Sequence, residues 1–475
     1  ALGLVVELRF GDREPQRYLV PVAYAVGAAA AEVEQRAPDA VIARLTVTGA
    51  APTTGVLYDA LATGEAAVTL AALLARGAAV AGARGRLITT PCDPAAAAEL
   101  AAATPPRPVP GSGHATVVRL GDRAVLKAFR LLEPGVNAEV ELGLHLTRGA
   151  PTDRPAAPVA PVLGTIDYVA DDGVPAALAV VHRYVAHQGT AGELVRGALA
   201  HALAQQLSLP APLPPPDHAT GEVPAAIEQA ISGHLRTARA LATRLAALHM
   251  ALADADDLAL RPEPFTPMHQ QSIYQTARAR LARVLDQLRR GDVGWPAETR
   301  ALAAATVAAG PELEEALAQV QARPIRAVRI RCHGDLHLDQ VLHAGDDFVV
   351  IDLEGEPARP LGARRYKRSP LRDVAKLTRS LAEVAAGALE AAPLRPTDRE
   401  ALGPWVTAWA AWMAHAFEAT YVEAAAAVVP PAPDDRRRLL QFFALELAVL
   451  DVDAALRRAP SQLAGALTRL RLPAG

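Results

Sequence analysis

A polar loop set between two short apolar segments constrains this 475-residue chain more than any other feature. The loop runs from His333 to Gln340. The alternating apolar residues before it, and those at 348–351 after it, predict two short β-strands. The second strand ends at Asp352, so this arrangement brings Asp335, Gln340 and Asp352 to one end of a small hairpin-like unit.

Phosphoryl transfer requires such a group of oxygen-bearing side chains. One carboxylate accepts the proton of the attacking hydroxyl, while another carboxylate and a side-chain oxygen hold Mg²⁺ against the nucleotide phosphates. We therefore predict that Asp335 is the catalytic base and that Gln340 and Asp352 bind Mg²⁺. His337 would shape the loop or face the substrate. The apolar strands on both sides and the 17-residue step from Asp335 to Asp352 disfavour a surface loop that is merely rich in His and Asp.

A Gly/Ser turn near the middle of the first half of the chain predicts a nucleotide-binding hairpin. Backbone N–H groups of such a turn can bind phosphates, and a lysine from the neighbouring strand can neutralise the α- and β-phosphates. We assign ATP binding to Ser112, His114 and Thr116 in the turn and to Lys127 in the next strand. Each signal alone is common in ordinary hairpins, but their position before Asp335 favours the nucleotide-binding interpretation.

Three motifs together resemble the maltokinase group, which are aminoglycoside-phosphotransferase-like sugar kinases with a eukaryotic-protein-kinase-like fold. The motifs are His333-Gly334-Asp335-x-His337-x-x-Gln340, Ile351-Asp352-x-Glu354-Gly355-Glu356-Pro357 and Ser369-Pro370-Leu371-Arg372-Asp373-Val374-Ala375. The resemblance implies a bilobal α+β fold with an N-terminal α+β cap at 1–103. It also implies a nucleotide-binding lobe at 104–185 and a large, mainly helical lobe at 186–475. Within this scheme the proline-rich stretch 104–110 is interpreted as a linker.

The same resemblance implies further roles. Glu139 and Glu141 both lie on the helix after Lys127, and the family pattern favours Glu141 as the partner of that lysine. Tyr184 and Val185 would lie at the hinge that contacts adenine. His333 and Asp373 would support the catalytic loop, because a carboxylate at a helix start can accept hydrogen bonds from loop backbone.

The resemblance fails in the C-terminal helix, where maltokinases carry two tyrosines and this chain carries Glu446, Asp451 and Asp453. An ammonium group in a partly desolvated site needs anionic partners, and a related branch of the group phosphorylates glucosamine. We therefore predict glucosamine, phosphorylated on its 6-hydroxyl, as the substrate. The predicted substrate-binding residues are Asp335, His337, Glu354, Trp409, Gln441, Glu446 and Asp451. A maltokinase, an aminoglycoside phosphotransferase and a nucleotide-binding pseudokinase scaffold remain alternatives.

Composition excludes several other classes of protein. The formal net charge of −3 lacks the basic excess of a nucleic-acid-binding surface. Two cysteines cannot form a disulfide framework or a cysteine-based zinc site. No apolar run approaches the ~20 residues that span a bilayer. We expect a cytoplasmic, monomeric enzyme that uses ATP and Mg²⁺ and has no nucleic-acid or membrane partner.

Overall fold

The computed structural model describes residues 2–11, 14–47, 53–100, 105–110, 114–148, 157–208, 211–217 and 222–470. The strands are β1 (Leu2–Leu8), β2 (Gln16–Val26), β3 (Val41–Val47), β4 (Thr53–Asp59), β5 (Ala79–Gly82), β6 (Gly85–Pro91), β7 (Pro106–Val109), β8 (Ala115–Leu120), β9 (Ala124–Phe129), β10 (Leu131–Leu132), β11 (Val162–Ala170), β12 (Pro175–Arg183), β13 (Glu263–Pro264), β14 (Val328–Arg329), β15 (Val341–Ala344) and β16 (Asp347–Val350). The helices are α1 (Gly27–Arg36), α2 (Glu65–Ala75), α3 (Pro94–Leu100), α4 (Ala138–Arg148), α5 (Ala191–Ser208), α6 (Ala225–Ala253), α7 (Pro267–Arg290), α8 (Ala297–Ala308), α9 (Gly310–Ala318), α10 (Leu361–Arg364), α11 (Leu371–Ala391), α12 (Pro396–Ala424), α13 (Pro433–Arg458) and α14 (Leu463–Arg469).

The chain divides into two compact units. The first unit comprises Ala1–Gln188 and Ala344–Arg365, and the second comprises Gly189–His343 and Tyr366–Gly475. The first unit contains a seven-stranded sheet in the order β5-β6-β11-β12-β9-β8-β7. It also contains a sheet in the order β1-β2-β4-β3, to which β10 adds by pairing with β2. Within the seven-stranded sheet, β11 pairs antiparallel with both β12 and β6.

Strand β9 positions Lys127. Successive side chains of a strand point to opposite faces, so Leu126 and Ala128 pack into one hydrophobic core while Lys127 and Phe129 lie on the other face. Helix α4 covers that second face, where it packs Val140 and Leu144 against Phe129. The lysine is thereby held between the central part of the sheet and a helix.

The proline-rich stretch is a strand in part, so the linker interpretation is wrong there. Residues 106–109 form β7, which pairs antiparallel with β8 at the edge of the seven-stranded sheet. Proline lacks an N–H group and is therefore tolerated in a sheet at an edge strand. The same sheet includes β5 and β6, which lie in the range predicted as the cap, 1–103. The first unit therefore contains both the predicted cap and the predicted nucleotide-binding lobe, 104–185.

The second unit is mainly helical, with α11 packed against α5, α12 and α13. Apolar residues of α11 recur at helical spacing and are buried: Leu371, Val374, Leu377, Leu381, Ala385 and Ala388. This pattern is that of an amphipathic helix whose apolar stripe faces the core. Four polar residues of this helix contact the loop that precedes β15: Arg372, Asp373, Lys376 and Ser380. In the described part of the chain, every helix is too short or too polar to cross a membrane.

Candidate active site

A buried ion-pair cluster surrounds Lys127 in the first unit. Its Nζ lies 2.7 Å from Oε2 of Glu139 and 3.3 Å from Oε1 of Glu354, and it also donates to Oδ1 of Asp352. The Lys127 and Glu139 side chains are 10% and 3% exposed. A charge that is buried this deeply requires paired partners, so these four side chains form one electrostatic group.

Local capping places Glu139 toward the lysine. Asn137 precedes α4, and its Oδ1 accepts hydrogen bonds from the backbone N–H groups of Glu139 and Val140 at 2.9 and 3.2 Å. Such a cap satisfies N–H groups in the first turn of a helix and fixes its start. The rotation of α4 that brings Val140 onto the sheet therefore also brings Glu139 beside Lys127.

The prediction that Glu141 pairs with Lys127 is wrong. Two residues along an α-helix are about 200° apart around its axis, so Glu141 points away from Glu139. Its carboxylate instead accepts two hydrogen bonds from Arg365, at 2.6 and 3.1 Å. The lysine pairs with Glu139.

Asp352 occupies an unusual backbone conformation. With a φ of 66°, it is the only non-glycine residue with positive φ in the described part of the chain. This left-handed conformation costs energy for a residue with a side chain, and such residues cluster at functional sites. In this conformation, directly after β16, the Asp352 carboxylate accepts a hydrogen bond from Lys127.

The charges in this cluster shift each other's protonation. Burial opposes the charge of Lys127, but the three surrounding carboxylates outweigh burial and raise its pKa. Burial also opposes ionisation of Glu139, yet Lys127 and His182 lower its pKa to about 2. Burial and the neighbouring carboxylates raise the pKa of Glu354 to about 7 despite the lysine. Three carboxylates thus share one ammonium group.

The predicted catalytic loop in the second unit is held by Asp373, at the start of α11. Oδ2 of Asp373 accepts the backbone N–H of His333 at 2.8 Å, and Oδ1 accepts that of Gly334 at 3.0 Å. Nε2 of the buried His249 lies 3.2 Å from Oδ2, and Nδ1 of His249 lies 2.7 Å from the Tyr421 hydroxyl. Burial disfavours the Asp373 carboxylate, but these donors outweigh burial and lower its pKa to about 2.

Helix α11 contacts the loop on three successive turns. Arg372 donates to the carbonyl of Gly334 at 3.2 Å, beside the Asp373 contacts. One turn later Lys376 donates to Oδ1 of Asp335. One further turn along, Oγ of Ser380 accepts the backbone N–H of Leu338 at 3.0 Å. We call these four residues, Arg372, Asp373, Lys376 and Ser380, the loop-facing row of α11.

The remaining predicted residues of this loop are His333, His337 and Gln340. The Nδ1 atom of the fully buried His333 accepts the backbone N–H of Asp335 at 3.3 Å. Burial lowers the pKa of His337, and the charge of Asp335 offsets part of this effect. Gln340 ends a 3₁₀ turn at Leu338–Gln340, and its N–H donates to the carbonyl of His337 at 2.9 Å.

The predicted nucleotide-side residues of the first unit fall into three groups. Ser112 lies outside the described residues. His114 and Thr116 lie on either side of the first residue of β8. The His114 carbonyl accepts a hydrogen bond from the backbone N–H of Arg130, and the Thr116 hydroxyl accepts one from Nε of Arg130 at 2.7 Å. After β12, the Tyr184 ring lies under the guanidinium of Arg119 at 4.0 Å, and the half-buried Val185 follows it.

The acidic residues of α13 are already paired with arginines. Oε2 of Glu446 accepts a hydrogen bond from Arg372 at 3.0 Å, and Arg379 contacts Asp451. Asp453 contacts Arg457 at 2.6 Å. Arginines thus offset the charges of these three carboxylates within the unit, and the role of Glu446 and Asp451 in binding a substrate ammonium stays a prediction. Gln441, earlier on the same helix, is exposed.

Trp409 is fully buried in the second unit, which corrects its prediction as an open wall for a sugar ring. Its ring packs edge-on against His234, with ring centres 5.4 Å apart. Both residues border a cavity of about 300 Å³ between α5, α6 and α12. Large apolar side chains at helical spacing usually pack in a core, and Trp409 follows that rule.

Comparisons with known proteins identify the fold. No family model matches the chain. A 64-residue segment is 45% identical to a glucosamine kinase of Mycolicibacterium smegmatis, a match that spans 14% of this chain and 16% of that relative. A solved structure of a glucosamine kinase in complex with glucosamine, ADP and inorganic phosphate superposes with a TM-score of 0.62. It is 21% identical, and the match covers 98% of this chain and 90% of that one.

This chain has the fold of a glucosamine kinase. A second glucosamine kinase structure, crystal form A, agrees with a TM-score of 0.63 at 20% identity, over 98% of this chain and 89% of that one. The kinase-like α+β fold that the three motifs implied is confirmed. The glucosamine kinase fold accounts for both the sheet that carries Lys127 and the helices that hold the Asp335 loop.

Sequence reasoning missed Lys376 and chose the wrong glutamate for Lys127. A signal for Lys376 was present, because residues three and four apart on a helix share a face. Lys376 lies three residues after Asp373, which was already predicted to hold the loop. A signal for Glu139 was present as well, since the preceding Asn137 is a preferred helix N-cap residue.

Proposed function

We propose that this protein is an ATP-dependent sugar kinase that transfers the γ-phosphoryl group of ATP to glucosamine, giving glucosamine 6-phosphate and ADP. The observation that carries the phosphotransfer is the buried ion pair of Lys127 with Glu139, joined by Asp352. In protein kinases, a strand lysine paired with a helix glutamate and a metal-binding aspartate must both be in place for activity. A chain that binds nucleotide only as a scaffold does not require all three groups.

The cluster also fits a divalent cation. Oxygen atoms of Glu139, Asp352 and Glu354 lie within 4.8 Å of one another. Three carboxylates beside one ammonium leave an excess of negative charge, and Mg²⁺ prefers oxygen ligands. We propose that Asp352 holds Mg²⁺ together with Gln340, as the sequence predicts. We assign Glu354 to this metal side rather than to the sugar, since it contacts Lys127. Bound Mg²⁺ would neutralise charge on the phosphate oxygens.

Asp335 would act as the base. The sugar 6-hydroxyl oxygen forms a bond to the γ-phosphorus while the bond between that phosphorus and the β–γ bridging oxygen breaks, and ADP leaves. The hydroxyl proton passes to the Asp335 carboxylate. The backbone N–H groups of His333 and Gly334 donate hydrogen bonds to Asp373, and these bonds hold the loop backbone just before Asp335. The Asp335 carboxylate therefore needs little reorganisation before the reaction.

Glucosamine is proposed as the acceptor on the strength of the motif resemblance and of the relatives that carry this name. The α13 carboxylates do not add support, because arginines neutralise them. We further propose a cytoplasmic monomer. Cys92 and Cys332 are both free thiols, and thiols persist in a reducing compartment.

A coupled assay of ADP release tests this function. We expect turnover with glucosamine well above that with maltose, N-acetylglucosamine or kanamycin, and a product mass that corresponds to one added phosphate. Asp335→Asn should lower kcat by about 10²- to 10⁴-fold, the range that general base catalysis contributes, with ATP binding retained. Preferred turnover with maltose would replace the proposed acceptor. Full turnover of Asp335→Asn would remove Asp335 as the base.

A further inference from the structure

Lys376 contacts the side chain of Asp335, which is the predicted base. Its Nζ donates to Oδ1 of Asp335, and the two side chains are 21% and 24% exposed. Oδ2 of Asp335 has no hydrogen-bond partner among the described residues. The lysine therefore engages one carboxylate oxygen and leaves the other for a further donor.

The position of Lys376 is fixed by its neighbours in the loop-facing row of α11. On one side, Asp373 holds the backbone of His333 and Gly334, and on the other, Ser380 holds that of Leu338. The loop is thus tied to the helix before and after Asp335. Lys376 is the member of the row that contacts a loop side chain, whereas the other members contact loop backbone.

The neighbouring cations of α11 have other partners. Arg372 pairs with Glu446 at 3.0 Å, and Arg379 contacts Asp451 and pairs with Glu383 at 3.1 Å. Lys376 is close enough to His337 to lower the pKa of that imidazole. Among the described residues, Lys376 is the cation that forms a salt bridge with the predicted base.

We propose that Lys376 is a positioning residue for phosphoryl transfer, an inference that rests on the proposed function. Its ammonium group holds the Asp335 carboxylate turned so that Oδ2 faces the acceptor hydroxyl. Lys376 itself forms no bond to the substrate and takes no proton. A charge-assisted hydrogen bond is short and directional, which suits a group that must hold another side chain in one orientation.

The test compares Lys376→Met and Lys376→Arg with the wild type in the coupled glucosamine assay. We expect Lys376→Met to lower kcat about 10- to 100-fold, less than the ~10²- to 10⁴-fold that removal of the base itself costs, while the KM for ATP changes less than about twofold. Lys376→Arg should recover most of the lost kcat, because arginine also donates to a carboxylate. In an Asp335→Asn background, Lys376→Met should have little further effect, since residues that act as one unit are non-additive.

Lys367→Met is the matched control. Lys367 is a buried lysine of the same unit, with Nζ 2.8 Å from Glu263 and 2.9 Å from the carbonyl of Leu258. Its loss should lower the melting temperature and leave kcat near the wild-type value. Two results would overturn the proposal. In one, the loss of kcat in Lys376→Met is explained entirely by a lower melting temperature; in the other, Lys376→Arg does not recover kcat. An undiminished effect of Lys376→Met in the Asp335→Asn background would also overturn it.

Assays of the wild type distinguish a failure of this proposal from a failure of the proposed function. If the wild type fails to phosphorylate glucosamine, the acceptor assignment fails, and the same variants are compared in slow ATP hydrolysis, where water is the acceptor. A drop in hydrolysis for Lys376→Met with recovery in Lys376→Arg supports the positioning role without the sugar. Equal hydrolysis in all variants and the wild type contradicts it.

Discussion

The Asp373 carboxylate lies 3.2 Å from Nε2 of His249, and both side chains are fully buried. The remaining acceptor positions of that carboxylate bind the backbone of His333 and Gly334. One buried anion thus joins α6, α11 and the predicted catalytic loop. These hydrogen bonds stabilise the buried anion inside the unit, and they hold the loop backbone in place.

Asp373→Ala should destabilise the protein by about 3–5 kcal/mol, because it leaves a buried histidine and two backbone amides without their acceptor. Urea unfolding followed by circular dichroism measures this change. Asp256→Ala, at an exposed position, should stay within about 0.5 kcal/mol of the wild type. Equal stability of the two variants would contradict the supporting role of Asp373.

The low pKa of Asp373 also predicts a response to acid. A carboxyl group whose pKa is about 2 in the folded state and 3.8 in the unfolded state stabilises the fold fully above pH 3.8. As the pH falls from 3.8 through 2, the folded state loses about 2 kcal/mol from this group. We therefore expect the unfolding free energy of the wild type to fall more steeply over this range than that of Asp373→Asn.

Glu139→Gln and Glu141→Gln separate the two glutamates of α4. Glu139→Gln should lower kcat/KM for ATP by about 10- to 100-fold or more, because Lys127 loses the charged helix glutamate that positions it. Glu141→Gln removes a partner of Arg365 and should leave kcat/KM for ATP within a few-fold of the wild type. Initial rates at varied ATP concentration measure both effects, and a larger loss in Glu141→Gln would contradict the pairing.

Asp352→Asn should weaken the response of the enzyme to magnesium. The amide removes one negative charge from the cluster that is proposed to hold the ion, so we expect a kcat lower by about 10²-fold or more at saturating Mg²⁺. Asp346→Asn, at an exposed turn position between β15 and β16, serves as the control. A titration of turnover against Mg²⁺ measures the shift, and coincident curves for the three proteins would exclude Asp352 as a ligand.

Glu418→Gln should stabilise the protein above neutral pH. Burial raises the pKa of Glu418, on α12, to about 7, so the folded state binds a proton more tightly than the unfolded state. The unfolding free energy of the wild type must then fall as the pH rises from 4.5 to 7. The variant removes up to about 3 kcal/mol of this loss. Glu423→Gln, exposed on the same helix, should leave the slope unchanged.

Short-range patterns allowed much of this molecule to be predicted. The alternation of apolar residues in β9 places Lys127 opposite the core face, and the helix start at Asp373 places a carboxylate on loop backbone. The first feature depends on a single strand. The second joins residues 40 positions apart, and it was predicted because both the loop and the helix start carry motif residues. The fold class was predicted from the resemblance of three motifs to the maltokinase group.

The sequence pattern could not predict long-range side-chain pairs or the rotation of α4 about its own axis. Arg372 and Glu446 are 74 positions apart, and no local spacing indicates that they meet. The choice between Glu139 and Glu141 depends on which face of α4 the sheet covers, which tertiary packing decides. The arginine partners of the α13 carboxylates were missed for the first reason, and the glutamate partner of Lys127 for the second.

The loop-facing row of α11 makes the geometry around Asp335 depend on helical phase. Each residue added to an α-helix turns everything after it by about 100°. A single alanine inserted after Ala375 would leave Asp373 on the loop yet swing Lys376 and Ser380 off it together. The length of this helix is therefore constrained as well as its residue types. A shortened or lengthened α11 would keep the Asp373 contacts with the loop and lose the Lys376 contact with Asp335.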